Sequence, residues 1–262
     1  MKVLVKLGGA LLEAPESRER VSAEVARARA PGVQLVVVHG GGKPMTRYLA
    51  DRGIQSRFVN GLRVTTTETL DAVLKVFAGS INHELVASLN RAGALAVGLS
   101  GIDALLAEAE QMDPALGWVG RVTRSNPELL DLLTANGYLP VVACVAGDRH
   151  GQVYNVNADQ MAVACAAAFG ASQLIFLTDV DGVLDQSRRV RPVLTASESE
   201  RLIAQGVATG GMRAKLNAAL EALRGGVEQV RIASGAVDHV LERILSGEAV
   251  GTRMVLTEGR AA

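Results

Sequence analysis

Six short apolar runs, separated by longer segments of helical period, constrain most strongly what this chain can fold into. The runs are rich in valine, leucine and isoleucine and bear few polar residues. Such runs are typical of parallel strands whose two faces are both covered by helices. Their alternation with helical segments therefore predicts an α/β protein with a mostly parallel sheet.

The pattern also predicts where the individual elements lie. Predicted strands span residues 3–7, 34–39, 94–100, 138–145, 173–180 and 227–233. Predicted helices span residues 16–30, 44–52, 68–91, 127–136, 158–169, 197–205, 212–224 and 237–246. Thr65 and Glu68 have capping-box spacing, which predicts that the third helix starts at Thr65. Residues 101–125 break the helical periodicity, and both a small hairpin and a lid are compatible with this segment.

Charge and cysteine content limit the classes of function. The 27 lysines and arginines balance the 27 acidic residues, so the chain lacks the basic footprint of a nucleic-acid-binding protein. Cys144 and Cys165 lie in apolar stretches, which predicts buried thiols in a reducing compartment. No zinc-ligand spacing, membrane-length apolar run or leader pattern is present, so we expect no protein-held metal and a cytoplasmic location.

Glycines follow two of the predicted strands. Lys6 stands near the end of the first strand, just before Gly8 and Gly9, and a second glycine cluster, residues 40–42, follows the second strand. Glycines there allow a ligand to approach the backbone closely, and a helix N-terminus favours an anion. The pattern predicts a phosphate-binding site.

The chain does not carry the common motifs for phosphate binding or ester hydrolysis. Val37 and Pro44 stand where a Walker A loop needs glycine and a hydroxyl residue, and Met45 replaces the third glycine of the dinucleotide fingerprint. Ser100 is not part of a Gly-x-Ser-x-Gly elbow. A P-loop, a dinucleotide site and a serine-hydrolase site are therefore not expected.

Polar residues cluster where the helix at 158–169 begins. Asn157 is expected to cap this helix, and Asp159 suits the positive end of the helix dipole. These structural roles leave Asn155 unexplained. Lys215 lies early in a later helix, where the dipole disfavours a cation, which points to a charged ligand.

A loop with two carboxylates follows the strand predicted at 173–180. Asp179 and Asp181 flank a turn around Gly182. Metal binding and simple turn formation both account for these residues.

Six motifs in this order, KLGG, HGGG, NGLRVT, NVNADQ, LTDVDGVL and GGMRAK, resemble those of the amino-acid kinase family. The resemblance runs from residue 2 to about residue 256 and is nearest to family members that act on N-acetylglutamate. It implies the amino-acid kinase fold, a three-layer αβα sandwich around a central, mostly parallel sheet. It also implies an N-terminal lobe (1–170) for acyl-amino-acid binding and dimerisation, and a nucleotide-binding lobe (171–262).

The resemblance implies roles for individual residues. Lys6 and Lys215 resemble the two lysines that neutralise the transferring phosphoryl group, and Asp159 resembles the carboxylate that holds both. Arg63 resembles the arginine that binds a substrate carboxylate, assisted by Asn155. The glycines expected to offer backbone donors to the phosphates or the developing charge are Gly8, Gly9, Gly41 and Gly42, of which Gly41 and Gly42 lie on the substrate side. The other expected nucleotide-binding residues are Asp179, Val180, Asp181, Gly182, Val183, Leu184, Val207, Ala208 and Thr209.

The implied reaction is phosphorylation of the side-chain carboxylate of N-acetyl-L-glutamate by ATP, with Mg²⁺ carried by the nucleotide phosphates. The chain begins its first strand at about residue 2, where arginine-inhibited relatives have an extra helix, which implies an arginine-insensitive homodimer. Ile102 and Asp103 depart from the family, which often has a lysine here. Two alternatives remain: a kinase acting on carrier-protein-linked aminoadipate, and a non-catalytic ligand sensor of the same fold.

Overall fold

The secondary structure comes from a computed structural model that describes residues 1–185 and 187–257. Its strands are β1 (Lys2–Leu7), β2 (Gln34–His39), β3 (Phe58–Val59), β4 (Leu62–Arg63), β5 (Ala96–Ser100), β6 (Ala107–Gln111), β7 (Val119–Ser125), β8 (Leu139–Ala143), β9 (Val145–Gly147), β10 (Val153–Val156), β11 (Gln173–Thr178), β12 (Val193–Thr195), β13 (Gln229–Ser234) and β14 (Thr252–Val255). Its α-helices are α1 (Pro15–Arg27), α2 (Gly42–Ala50), α3 (Thr67–Val73), α4 (Asn82–Arg91), α5 (Glu128–Ala135), α6 (Ala158–Phe169), α7 (Ala196–Ala204), α8 (Gly210–Arg224) and α9 (Val240–Leu245).

An eight-stranded sheet forms the centre of the molecule, in the order β12-β14-β13-β11-β1-β2-β8-β5. All its pairs are parallel except β13 with β14. Every residue of β11 is buried, as expected for a strand covered on both faces. Helix α6 packs on β1, β2 and β11 beside α8, whereas α1 contacts α4 and α9. The predicted mostly parallel α/β fold is confirmed.

The six predicted strands are present, and five of them have ends that differ from the prediction. Strand β1 begins one residue earlier, at Lys2, and β13 spans Gln229–Ser234 instead of 227–233. The run 138–145 is two strands, because the chain leaves the central sheet after Ala143 and continues as β9 in a second sheet. The strand predicted at 94–100 begins at Ala96, and the one predicted at 173–180 ends at Thr178. The strands that follow residue 170 occupy consecutive positions on one side of β1.

The segment 101–125, for which a hairpin and a lid were both open, contains the antiparallel strands β6 and β7. Strands β9 and β10 complete a small closed barrel with this hairpin. The sequence analysis did not predict the barrel. The short strands β12, at the sheet edge, and β14, next to it, were also missed, because strands of three or four residues show too little periodicity.

The helix predicted at 68–91 is continuous, but its middle part, Leu74–Ile81, is wound as a π-helix. We call this part the π segment. The predicted start at Thr65 is wrong by one residue: Thr66 is the cap, and its hydroxyl accepts a hydrogen bond from the Thr69 N–H at 3.2 Å. Thr65 is fully buried, and its hydroxyl donates to the Arg63 carbonyl at 2.9 Å.

Both cysteines, Cys144 and Cys165, are buried free thiols, as predicted. Burial raises the pKa of each thiol to about 12, so both are protonated near neutral pH. Among the described residues, none of the helices has the length and apolar character required to cross a bilayer.

Candidate active site

Three charged side chains that lie far apart in the sequence meet at the carboxyl ends of the central strands. Lys6 Nζ, on β1, lies 2.7 Å from Asp159 Oδ1, and Lys215 Nζ, on α8, lies 3.2 Å from Asp159 Oδ2. The side chains of Lys6 and Asp159 are 8% and 9% exposed, whereas that of Lys215 is 18% exposed. One carboxylate thus holds two ammonium groups at the end of a parallel sheet, where such folds bind ligands.

Burial and neighbouring charges shift the pKa of Asp159 in opposite directions. Burial alone would raise the pKa of its carboxyl, but the ammonium groups of Lys6 and then Lys215 outweigh burial and leave the pKa below its usual value. Asp159 is therefore ionised near neutral pH. Two lysines and one carboxylate leave the cluster with a net positive charge, which favours an anionic ligand.

The start of α6 holds Asp159 in place. The Asn157 side chain accepts hydrogen bonds from the N–H groups of Asp159 at 2.9 Å and Gln160 at 3.2 Å, so it caps the helix as predicted. The helix dipole stabilises a carboxylate in this first turn. A single capping residue thus fixes the backbone that presents Asp159 to both lysines.

Two glycine loops meet beside Lys6. A Cβ built on Gly9 lies 3.3 Å from the Gly42 nitrogen, so the two backbones are nearly in contact. The Gly8 N–H donates to the Leu177 carbonyl at 2.8 Å. The expectation that Gly8 offers a free backbone donor is therefore wrong, because sheet pairing already uses this N–H. Gly8 lies against the end of β11, since a Cβ built on it would be 3.4 Å from the Thr178 Cα.

Arg63 is buried next to the second glycine loop. Its guanidinium donates to the Gly42 carbonyl at 3.2 Å, to Thr46 Oγ1 at 2.8 Å and to Ser56 Oγ. Its carbon centre lies 4.6 Å from the Phe58 ring centroid. The acceptors that the described residues provide are all uncharged, and burial lowers the pKa of Arg63. A buried guanidinium with neutral partners is suited to bind a carboxylate.

Asn155 approaches the same region from the barrel. Its Nδ2 donates to Thr65 Oγ1 at 3.0 Å, and its N–H donates to the Trp118 carbonyl at 2.9 Å. Thr65 Oγ1 in turn donates to the Arg63 carbonyl. Asn155, Thr65 and Arg63 are thus connected through consecutive hydrogen bonds, which explains the buried position of Thr65.

A cavity of about 410 Å³ borders the start of α8, the helix that carries Lys215. Its walls are Asp179, Val180, Asp181, Gly182, Val183, Leu184, Val207, Ala208, Thr209 and Met212. Nine of these ten residues are those that the resemblance assigns to nucleotide binding, and Met212 is an addition. Lys215 follows Met212 by three residues on α8, so the two lie on the same helix face.

Gly182 is required by the shape of this cavity. Its φ is +153°, and an added Cβ would lie 2.7 Å from Thr252 Oγ1, which accepts a hydrogen bond from the Val183 N–H. We expect Gly182→Ala to raise by about 10-fold the KM for ATP, the ligand that the resemblance implies for this cavity, because backbone strain and the displaced loop cost about 1–3 kcal/mol. Steady-state kinetics with varied ATP measure this effect. Gly147→Ala is the control, since its Cβ would meet Gln152 at an ordinary 3.4 Å, and an equal KM in both variants would contradict the assignment.

The sequence analysis overlooked His39, the residue before the glycine cluster. It is fully buried, with Nδ1 3.1 Å from the Gly40 carbonyl and Nε2 2.9 Å from Asn82 Nδ2. Burial lowers the pKa of His39 to about 4; the Lys6 ammonium acts in the same direction, and the contact with Gly40 opposes it. His39 is therefore neutral. The signal in the sequence that could have identified His39 is its position at the end of a buried strand, directly before the glycine cluster.

Neutral His39 makes folding stability depend on pH. Its pKa is about 4 in the folded state and about 6.5 in the unfolded state, so only the unfolded chain binds this proton between those values. Stability present above pH 6.5 is therefore lost as the pH falls towards 4, by about 3 kcal/mol in total. Urea unfolding at pH 7, 5.5 and 4.5 measures this loss. The change in the free energy of unfolding between pH 7 and pH 4.5 should be smaller in His39→Gln than in the wild type. An equal change in the two proteins would contradict the assignment.

The fold and the site define an α/β protein whose parallel strands end at a lysine–aspartate–lysine cluster, with glycine loops beside Lys6 and a cavity at the start of the helix that carries Lys215. A family model described as the amino acid kinase family matches residues 1–234. The chain belongs to the amino acid kinase family, and the resemblance drawn from its motifs is confirmed.

Individual relatives agree with this assignment. An acetylglutamate kinase from Solibacter usitatus is 74% identical over 255 residues, which cover 97% of this chain and 99% of that protein. An acetylglutamate kinase from Nostoc punctiforme is 41% identical over 259 residues, covering 97% of this chain and 87% of that protein. Carbamate kinase from Giardia lamblia bound to AMP-PNP has a TM-score of 0.74 at 16% identity, with 98% of each chain covered, which supports the fold.

Proposed function

We propose that this protein transfers the γ-phosphoryl group of ATP to the side-chain carboxylate of N-acetyl-L-glutamate, a step of arginine biosynthesis. The products are N-acetylglutamyl 5-phosphate and ADP. The observation that carries the proposal is the ion-paired cluster of Lys6, Asp159 and Lys215, which connects through the glycine loops to Arg63 and along α8 to the cavity. The Solibacter relative, with which the chain shares most of its sequence, is named for this activity.

The site suits a reaction between two anions. A carboxylate oxygen attacks the γ-phosphorus, a new P–O bond forms, and the bond to the leaving ADP oxygen breaks. Positioning and charge stabilisation dominate such a transfer. Lys6 and Lys215 would neutralise the charge on the transferring group, while Asp159 keeps both ammonium groups in place. The acceptor carboxylate is ionised near pH 7, so no general base is needed.

Arg63 and Asn155 would bind the acceptor substrate. The Arg63 guanidinium matches the planar geometry of a carboxylate, and its contact with the Gly42 carbonyl fixes it beside the glycine loop. Asn155 reaches the same place through Thr65. Gly9, Gly41 and Gly42 would supply backbone N–H groups to the phosphates or to the developing charge.

ATP would occupy the cavity next to α8. The Thr209 side chain makes no capping hydrogen bond to any residue the structure describes, so the first N–H groups of α8 suit a phosphate. Mg²⁺ would arrive with the nucleotide and neutralise charge on the phosphate oxygens. The Asp179 and Asp181 carboxylates on the cavity wall are oxygen ligands of the type that Mg²⁺ prefers, so the residues present are compatible with it.

A substrate screen tests this function directly. Purified protein with Mg-ATP should release ADP with N-acetyl-L-glutamate, and much less with glutamate or aspartate. ADP release only with an aminoadipate–carrier conjugate would contradict the proposal and identify a carrier-linked aminoadipate kinase. Nucleotide binding without turnover on any of these acids would also contradict it and identify a ligand sensor.

We also propose that the protein is a cytoplasmic homodimer. The buried free thiols suit a reducing compartment. Strand β5 lies at the edge of the central sheet, and Leu95, Leu132 and Tyr138 are exposed apolar residues in the 1–170 part of the chain, to which we assign dimerisation. Light scattering should give about twice the 27.4 kDa chain mass, and a monomer mass would contradict the dimer.

A further inference from the structure

Asn82 connects the long helix to the end of strand β2. Its Nδ2 lies 2.9 Å from His39 Nε2 and donates to the Val141 carbonyl at 2.9 Å. The other side of its amide rests on Gly98 of β5, where a Cβ would overlap with Asn82 Oδ1. A buried asparagine, placed against a strand glycine, thus touches three neighbouring strands of the central sheet.

The contacts of His39 fix its tautomer and direct it towards the glycine loop. The Gly40 carbonyl can only accept, so His39 Nδ1 carries the proton. His39 Nε2 therefore accepts from Asn82, whose second amide hydrogen goes to Val141. One directed series of hydrogen bonds joins the sheet to the first carbonyl of the loop at residues 40–42.

The π segment packs against the same loop. A Cβ on Gly41 would overlap with Ile81 and would lie 3.0 Å from the Phe77 ring, so this loop has no free space on that side. In a π-helix the residue five positions on completes about one turn, whereas an α-helix needs only about four. Phe77, Ile81 and Asn82 consequently lie on one side of the helix. Because of the π winding, Phe77 and Ile81 pack against the loop from the same side of the helix on which Asn82 contacts His39.

We propose that Asn82 and His39 are positioning residues for phosphoryl transfer, which hold the glycine loop at residues 40–42 in register with Gly8 and Gly9. The loop carries the Gly42 carbonyl that orients Arg63, so its displacement affects the reacting groups on the acceptor side. This inference rests on the function proposed above. The proposed role of Asn82 and His39 is to orient the reacting groups, so their replacement should lower mainly kcat.

Asn82→Ala tests the inference. It leaves His39 Nε2 and the Val141 carbonyl without this partner, and we expect kcat to fall by about 10–100-fold while the KM for ATP changes by less than about 3-fold, because small displacements cost turnover. The control is Asn90→Ala on the same helix, which removes the acceptor of the Ala96 N–H at 2.7 Å. Melting temperatures of both variants separate lost stability from lost turnover. Equal kcat values in the two folded variants would overturn the inference.

A second pair of variants tests the same point through His39. His39→Gln keeps an acceptor within reach of Asn82 and should retain most turnover, whereas His39→Leu has none and should lose about as much as Asn82→Ala. This pair decides the matter should Asn82→Ala fail to fold. Turnover of His39→Leu equal to that of His39→Gln would overturn the inference.

The failure of the inference is distinguishable from that of the proposed function. An active wild type whose Asn82 and His39 variants turn over normally refutes only the positioning role. A wild type that releases no ADP with N-acetyl-L-glutamate refutes the proposed function and, with it, this inference.

Discussion

Replacing Lys6 by alanine is expected to lower kcat by about 10²–10³-fold, and Lys215→Ala should have a similar effect, by analogy with the loss of one charge-stabilising donor. A unit charge pair at 4 Å contributes about 4 kcal/mol at an effective dielectric of 20. Both ammonium groups already lie within 3.2 Å of Asp159, so little reorganisation is needed when the phosphoryl group arrives. Initial-rate kinetics with saturating ATP and N-acetyl-L-glutamate measure the effect.

Lys2→Ala is the matched control for Lys6→Ala. Lys2 lies on the same strand, with its ammonium 2.6 Å from Asp131 Oδ1 and over the Phe169 ring, outside the proposed site. Its kcat should remain near that of the wild type. Thermal melting accompanies the kinetics, because Lys6→Ala leaves the buried Asp159 with one counter-charge fewer. Wild-type turnover in the alanine variant of Lys6 or Lys215 would remove that lysine from the mechanism.

Arg63→Ala is expected to lower kcat/KM for N-acetyl-L-glutamate by about 10²–10³-fold, mainly through KM, because it removes the buried charged partner that we propose for the substrate carboxylate. The KM for ATP should change by less than about 3-fold, since we assign the guanidinium to the acceptor and not to the nucleotide. The kcat/KM of Arg63→Lys for N-acetyl-L-glutamate should lie between those of the wild type and Arg63→Ala, because lysine keeps the charge and loses the planar pair of donors. Kinetics with each substrate varied in turn measure both constants.

Arg52→Ala is the control for this experiment. Arg52 also stacks on an aromatic ring, 3.6 Å from the centroid of Tyr48, but it is exposed. Its removal should leave both KM values unchanged. An Arg63→Ala variant that loses affinity for ATP and for N-acetyl-L-glutamate to the same degree would contradict the assigned role, since the damage would then be general.

The central sheet could be predicted because its strands are long and apolar on both faces. Runs such as 34–39 and 173–178 have no exposed face, so hydrophobicity alone identifies them. Strands β12 and β14 have only three or four residues, too few for this signal to identify them. The barrel escaped prediction because β9 and β10 are just as short, and because β10 pairs with β7 and β9 with β6 across long stretches of sequence.

The candidate site could be predicted residue by residue only through the order of its motifs. Lys6, Asp159 and Lys215 each had an ordinary structural explanation in the sequence. Nothing local distinguished Thr66 from Thr65 as the helix cap, and Gly8 looked like a free donor. Both errors arose because a distant segment, at Leu116 or Leu177, uses the backbone group in question.

The amino-acid sequence by itself determined the α/β class, the buried strands, the glycine loops and the residue types of a site for anions, because these depend on hydrophobic period and local backbone chemistry. Only the tertiary structure decided that Asp159 bridges two lysines, that Arg63 is buried with uncharged partners, and that Asn82 reaches His39 through a π-wound helix. These contacts join segments far apart along the chain. Their geometry is set by how the helices pack on the sheet, which no short stretch of sequence encodes.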